Sequence, residues 1–398
     1  MRAKTVFAAT LAGAVLPLAA GAADWELNPR IEAGYLFDDN FRLTATPGSE
    51  IEVQGPLLDA ALEMRARQPN GEFSFTPRVR ATYFPDQQDL DTVDYFGTLD
   101  WQHKGQRMTS EVLGEFSQQD VINSEQPDAE VPTDSDLGQG DIGDSGVVLF
   151  ENRRTRGALR PSFTYEMSAR RSLEFGGDFA DVRFDTEIPG AQVDYQNYGV
   201  YTGLITRLSP TTSLTARLRG ARYDIETQGD SQSYGAELQW DTRTASGSRK
   251  YLRLGAQNVD LPSGEKETAW IAGGGASVLR GRNTLFLDLS RGVGPSSSGI
   301  VVARDQLRLR WTFDMTPRFA FLAGLRGTHD DDVDPDSLFR ARSYVTGDVG
   351  FQWQWQEEFS LRFSYDYTWQ EFDDQLTDAA TSNGATISFL YQPLQRRR

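Results

Sequence analysis

The stretch LRLRWTFDMTPRFAFLAGLRG, residues 307–327, restricts the fold more than any other part of the chain. Leu307, Leu309, Trp311 and Phe313 alternate with Arg308, Arg310 and Thr312. After a Thr-Pro break the alternation resumes with Phe319, Phe321, Ala323 and Leu325. Side chains of an extended strand point to opposite faces in turn, so a period of two means strands with one apolar and one polar face. The apolar face must meet either a protein core or lipid.

The same pattern fills the chain. It predicts strands near 27–37, 55–67, 72–84, 93–103, 107–117, 150–166, 172–184, 194–207, 213–226, 232–243, 250–260, 268–280, 283–293, 301–314, 318–329, 341–356, 359–372 and 383–391. That makes about 18, with 16 the alternative, each near or above the roughly 9–11 residues a tilted strand needs to cross a bilayer. Connection length alternates too. Tight turns such as PNG at 69–71, SPTT at 209–212 and EE at 357–358 follow even strands. Longer acidic segments such as DDNFRLTATPGSE, PDQQDLDTVD and DDQLTDAATSNG follow many odd ones. Short turns on one rim and long loops on the other characterise a transmembrane up-and-down antiparallel β-barrel, with both termini on the periplasmic, tight-turn side. A soluble sandwich or β-solenoid would explain the alternation but not the alternating connections. Large aromatics share the apolar faces toward strand ends, as in Val349, Phe351, Trp353 and Trp355, or Leu361, Phe363, Tyr365, Tyr367 and Trp369, where membrane interfaces concentrate them.

The N-terminus supports export. Arg2 and Lys4 precede an apolar stretch from Val6 to about Ala20, and Ala20-Gly21-Ala22 supplies small residues for cleavage after Ala22. This predicts a signal peptide at 1–22 and one outer-membrane barrel domain at 23–398, with the last strand ending near 391 and a basic tail at 392–398. A mean hydropathy of −0.50 does not weigh against a membrane location, because a barrel strand is apolar only at every second residue. There are no cysteines, which excludes disulfides, thiolate metal sites and a lipid anchor at the cleavage point. The net charge of −17 argues against a nucleic-acid partner.

LNPRIEAGYLFDDNFRL at 27–43, followed by paired strands punctuated by SPTTSL and MTPRFAF, resembles a proteobacterial family of outer-membrane β-barrel proteins of the β-barrel porin type, associated with exopolysaccharide systems. The resemblance covers most of the chain after Ala22 in pattern and is specific in residues at Asp38, Asp39 and Asn40. It implies an outer-membrane barrel and passive export of surface polysaccharide, with periplasmic or inner-membrane synthesis and export components as partners. The alternative is a general or anion-selective diffusion porin. Lipid, lipopolysaccharide and the barrel-insertion machinery are the other expected partners. Ile387, Phe389 and Tyr391 are similar to the aromatic terminal strand that this machinery recognises, although seven residues follow Tyr391.

If Trp311 and Phe313 face lipid, the same parity sends Arg78, Arg80, Arg217, Arg219, Arg253, Arg308, Arg310, Arg326 and Arg362 into the lumen. Glu63, Glu111, Glu115, Glu166, Glu237, Asp288, Asp348 and Asp366 follow them. So many charges cannot sit in a dry core unpaired, so the interior is wet or densely paired. Two readings stay open: guanidinium rows that bind an anionic cargo, or Arg-carboxylate pairs that brace the wall. The stretch Gln118–Val147, with eight acidic residues and no Lys or Arg, either folds inward as a constriction or extends outside. Asp330, Asp332, Asp334 and Asp336 alternate in HDDDVDPD and offer oxygen ligands suited to Ca2+, although the loop lacks the glycine and terminal glutamate of an EF-hand. No other cofactor is expected.

A lipid-cleaving enzyme is the reading from a different class, since barrel lipases pair a serine with a histidine base at the outer wall. Of two histidines, His103 falls at a tight turn. His329 continues the outward parity of Phe319 to Leu325, and Ser343 stands on the next strand. No nucleophile motif accompanies them, so a polar surface histidine is the expectation and no catalytic residue is assigned.

Overall fold

The computed structural model describes residues 23–122, 152–186, 188, 192–226, 229–333, 341–373 and 378–393. The expected signal peptide at 1–22, most of the acidic stretch at 118–147, Asp334, Asp336 and Arg396–Arg398 lie outside the described residues.

Eighteen antiparallel strands form one closed sheet: β1 (Asp24–Asp38), β2 (Val53–Gln68), β3 (Gly71–Thr82), β4 (Thr92–Lys104), β5 (Met108–Asp120), β6 (Arg153–Glu166), β7 (Arg171–Phe184), β8 (Tyr195–Arg207), β9 (Thr212–Ile225), β10 (Gly229–Arg243), β11 (Arg249–Asp260), β12 (Lys266–Arg280), β13 (Asn283–Pro295), β14 (Val301–Thr316), β15 (Phe319–Asp332), β16 (Arg342–Gln356), β17 (Phe359–Phe372) and β18 (Ala380–Tyr391). Each strand pairs with its sequence neighbours, and β1 pairs with β18, so the sheet closes on itself and no strand is left as an open edge. Connections at one end span two to five residues; several at the other are far longer, although those after β9, β11 and β13 are short as well.

The closing ladder is the shortest in the barrel, with eight paired positions from Ile31↔Tyr391 to Asp38↔Gly384. Side chains reinforce it at the long-loop end. Ser382 Oγ donates to Asp38 Oδ1 at 2.6 Å, and the Asn383 amide and side chain donate to the two Asp39 oxygens at 2.7 Å each. Asn40 Nδ2 donates to the carbonyls of Thr381, at 2.9 Å, and Thr44, at 3.0 Å. The Asp38-Asp39-Asn40 triplet is thus a clasp on the seam.

Around most of the wall the outward positions are the apolar ones. Leu252 and Leu254 on β11, Phe351, Trp353 and Trp355 on β16, and Leu361, Phe363 and Tyr365 on β17 are exposed, along with Trp25, Leu27, Ile31 and Tyr35 on β1. A continuous exposed apolar belt of this extent requires an apolar surrounding. Rings contact one another along its tight-turn margin, as in Trp311–Phe321 at 5.4 Å and Phe359–Phe389 at 5.4 Å.

The strands run to 12–16 residues, longer than a bilayer crossing needs, and the surplus lies at the long-loop end. There the alternation inverts. On β7 the outward sequence Leu173, Phe175, Phe179 gives way to Asp181 and Arg183, while the inward Glu174 and Asp178 give way to Ala180, Val182 and Phe184. On β9, outward Leu218 is followed by Arg222 and Asp224, and inward Arg217 and Arg219 by Ala221, Tyr223 and Ile225. The barrel therefore rises past its apolar belt as a collar that is polar outside and apolar within. β5 continues to Asp120, so the first residues of the expected 118–147 loop belong to this collar.

Candidate functional site

The lumen has two levels. At the long-loop end the inward residues of many strands and several loops meet in one dry layer. It contains Phe41 and Leu43 from the first loop, Phe84 and Leu90 from the second, Val182, Phe184, Val193 and Tyr195 around the β7–β8 connection, Tyr223 and Ile225 on β9, and Val301 and Tyr344 opposite. Phe41 and Phe84 pack edge to face at 5.3 Å. Leu43 takes a φ of 49°, a left-handed turn that tucks the first loop back into the mouth. Three polar contacts tie the layer across the lumen. Arg42 donates to Asp120 at 3.2 Å, the Val193 amide to the Ser297 carbonyl at 2.8 Å, and Tyr223 Oη to the Val293 carbonyl at 3.2 Å. Asp194 accepts the Phe184 amide at 2.7 Å, and burial at this mouth pushes its carboxyl above the usual range.

Below the layer the inward positions are charged, as the parity predicted, and every arginine assigned to the lumen lies on the inner face. Arg78 and Arg80 converge on the buried Asp59, at 2.7 and 3.1 Å. Arg217 bridges Glu174, at 2.9 Å, and Glu237; Arg219 meets Asp178 at 2.9 Å. Arg308 stands 3.5 Å from Asp288, Arg310 2.8 Å from Asp348, and Arg362 3.8 Å from Glu32. Arg362 also donates to Gln352 Oε1 at 3.0 Å. Arg326 faces Arg308 and Thr346 in the ladder, and Arg253 faces Gln239 and Gly273. Of the predicted inward acids, Glu115 takes both Arg156, at 2.7 Å, and Arg160, at 3.1 Å, while Glu166 sits at the tight-turn rim with Arg207 at 2.9 Å.

Four of these pairs, Arg217–Glu174, Arg219–Asp178, Arg310–Asp348 and Arg362–Glu32, span an intervening strand, and in two of them a glycine lies directly between the partners. Arg217, Gly203 and Glu174 occupy one row on β9, β8 and β7. Arg310, Gly324 and Asp348 occupy another on β14, β15 and β16. A Cβ at Gly324 would lie 2.1 Å from Asp348 Oδ1 and 2.7 Å from Arg310 Nη1. The missing side chain leaves a gap through which a guanidinium and a carboxylate two strands apart can meet.

The inner face encloses a chamber of about 850 Å3 beside β2–β14. The charged side chains that point into it are eight arginines and seven carboxylates, the Arg291 guanidinium being turned outward to Asp305 and the Trp270 ring. Arg217, Arg219, Arg243, Arg249 and Arg253 gather on β9–β11, and Glu63, Glu72, Asp100 and Glu111 on β2–β5 across from them. A smaller cavity of about 170 Å3 lies against β1–β3 and β14–β18, under Phe41 and Leu43. Its lining reverses the balance, with four arginines (Arg78, Arg80, Arg310, Arg362) against five carboxylates (Glu32, Asp38, Asp59, Asp348, Asp366).

For the proposed Ca2+ ligands, Asp330 is buried and held by Arg304 through two hydrogen bonds of 2.6 and 2.8 Å. Among the described residues no group of three or more His, Asp or Glu side chains is arranged to hold a metal. His329 lies on the outer wall, and its Nδ1 stands 2.8 Å from Ser343 Oγ. The apolar layer is what the parity reading missed. Its signal is in the sequence, in the inverted alternation of ADVRF at 180–184 and ARYDI at 221–225.

No protein-family model matches the sequence, and no curated protein matches it. Solved structures with a similar chain path include Pseudomonas aeruginosa OccK2 (OpdF) in complex with glucuronate, at 13% identity over 93% of this chain and 99% of that one, with a TM-score of 0.44. Pseudomonas aeruginosa OpdO is similar at 12% identity over 93% and 97%, with a TM-score of 0.46. A BenF-like porin from Pseudomonas fluorescens is similar at 10% identity over 93% and 99%, with a TM-score of 0.45.

Proposed function

We propose that the chain is an outer-membrane diffusion channel for small polar solutes, with a modest preference for anions. After removal of the 1–22 signal it is one barrel, its tight turns and both termini in the periplasm and its collar among the headgroups of the outer leaflet. The single observation that carries this reading is the contrast across one wall: an exposed apolar belt outside, and inside a charged chamber of about 850 Å3. That volume is within the roughly 300–1,000 Å3 of small-molecule sites. The small excess of arginine in its lining biases the local potential toward anions, but most guanidinium groups already hold a wall carboxylate. A solute must compete with those partners, so passage is selective by charge without tight capture.

The export of exopolysaccharide suggested by the family resemblance needs a continuous path wide enough for a polymer. The dry layer above the chamber favours the small-solute reading instead. Reconstitution in planar bilayers tests this. The expected result is small channels with a Cl−/K+ permeability ratio above one, in which a monomeric carboxylate such as acetate carries current and acidic oligosaccharides neither block nor pass. A silent bilayer or a cation-selective pore would sink the channel reading as stated, and block by an acidic oligosaccharide would restore export.

A further inference from the structure

On the outer wall of the collar, polar side chains mostly form acid–base pairs: Arg183 with Asp181 at 3.0 Å, Arg222 with Asp230, Lys266 with Asp260 at 3.3 Å, and Arg291 with Asp305. One group differs. Ser343 on β16 lies directly opposite His329 on β15, and Asp331 follows His329 on the same outward face. Ser343 Oγ is 2.8 Å from His329 Nδ1, and Asp331 Oδ1 is 3.1 Å from His329 Nε2. The carboxylate can only accept, so it fixes the imidazole proton on Nε2 and leaves the Nδ1 lone pair to accept the Ser343 hydroxyl proton. This is the order a serine nucleophile requires, acid to imidazole N–H and imidazole lone pair to hydroxyl. The His329 and Asp331 side chains are 44% and 46% exposed, so the group is open to the surroundings. Arg291 Nη2 stands 3.9 Å from Asp331 Oδ2, and the Arg291 guanidinium packs on the Trp270 ring at 4.6 Å.

The height of the group identifies what it can meet. One pleat below Ser343, the outward neighbours are Val345 and its ladder partner Trp369, and Trp270 caps the same margin of the apolar belt. Tryptophan rings mark the membrane interface, the level at which acyl esters join lipid tails to headgroups. We propose that the outward face of β15–β16 is a serine acyl-transfer site acting on ester-linked acyl chains of outer-leaflet lipid, a second activity on the wall of the channel. It rests on the lipid-facing orientation given above. Ser343 Oγ attacks the acyl carbonyl as His329 Nδ1 takes its proton. The tetrahedral intermediate collapses as that proton passes to the leaving alcohol oxygen, and the C–O ester bond breaks to leave acyl-Ser343 and lysolipid. Water, deprotonated by the same nitrogen, then attacks the acyl-serine carbonyl; the bond between the acyl carbon and Ser343 Oγ breaks, the proton on His329 Nδ1 passes to Ser343 Oγ, and fatty acid leaves. Asp331 is a positioning residue, and Arg291 is the cation nearest to receive a lipid phosphate.

The test uses the full-length folded barrel in phospholipid mixed micelles, with a fluorophosphonate probe and release of fatty acid as the two readouts. The wild type should carry the probe on Ser343 and release fatty acid. Ser343→Ala should abolish both, and His329→Asn should slow labelling about 100-fold or more, the usual scale of general-base assistance. Asp331→Asn should lower the labelling rate and move its pH dependence, a change that a purely structural role would not produce. A wild-type barrel that releases no fatty acid above the Ser343→Ala background overturns the proposal, as does labelling that falls on another serine or persists in His329→Asn. Conductance of the same preparations keeps the two readings apart. Intact channels without esterase activity remove only this site, whereas a silent wild type strikes at the channel.

Discussion

The two levels of the lumen are built from the same strands and the same inward parity, yet one is charged and wet and the other apolar and dry. On β9 the change takes a single step, from Arg219 to Ala221, and on β11 it runs from Arg253 through Gln257 to Val259. The outer face changes in the opposite sense at the same height, from Leu218 to Arg222 and from Leu254 to Asn258. Period two fixes only that neighbouring side chains face opposite ways; the medium on each side decides which face is apolar. Within the belt lipid is outside and water inside. Above it water and headgroups are outside, so apolar groups gain by turning inward and meeting one another. The height of the inversion is thus a ruler for the membrane boundary, written into the chain.

The largest expected effect comes from breaking the dry level. Phe84 is 1% exposed and packs against Phe41 within the apolar layer. Phe84→Ala should cost about 3–5 kcal/mol, as a buried aromatic lost from a packed core does. It should also raise single-channel conductance, because water replaces the ring. Urea unfolding in detergent and bilayer recordings read the two consequences. Unchanged conductance together with lost stability would mean that the layer is scaffold and that solutes pass elsewhere.

Breaking the wet level should cost less. Gly324→Val places side-chain atoms where Arg310 and Asp348 meet, separating two mostly buried charges whose side chains are 7% and 12% exposed respectively. Separation of a buried pair costs about 3–5 kcal/mol, but the lumen rehydrates both groups, so about 2–3 kcal/mol is expected. Arg310 released from its carboxylate should make the pore more anion-selective, measured as reversal potential in a KCl gradient. A shift toward cations would show that Asp348, not Arg310, dominates the local field.

The strands and their order were legible because each carries its own evidence: period two, turn residues and length act within a dozen residues. The charged lumen followed from parity alone. Which arginine meets which acid did not, since that depends on the stagger between strands and on gaps such as Gly203 and Gly324 in the strand between. The dry layer was hidden for a different reason. Judging every strand by an apolar-out rule treats residues such as Val182 and Tyr223 as breaks in the pattern, although they are its continuation in another medium. Asp331 carries no signal of its own within a run of acids, because the sequence shows neither the Ser343–His329 contact nor the approach of the acid to the ring.

The smallest effect is expected at the seam, where the inverted zone also closes the cylinder. The β1–β18 ladder stops at Asp38↔Gly384, and beyond it the Asp39 carboxylate accepts both the Asn383 amide and its side chain at 2.7 Å. Asp39→Ala removes both acceptors and leaves those donors to find water at the rim, where they are not deeply buried. About 1–2 kcal/mol is the expected loss, the net value of hydrogen bonds to a charged group near the surface. Because the clasp is confined to the collar, the loss should appear as faster hydrogen exchange at 381–384 and in the first loop, with the charged level unchanged. If exchange rises equally at Arg310 and Arg217, the two levels do not open separately, and the seam holds the whole wall as one cooperative unit.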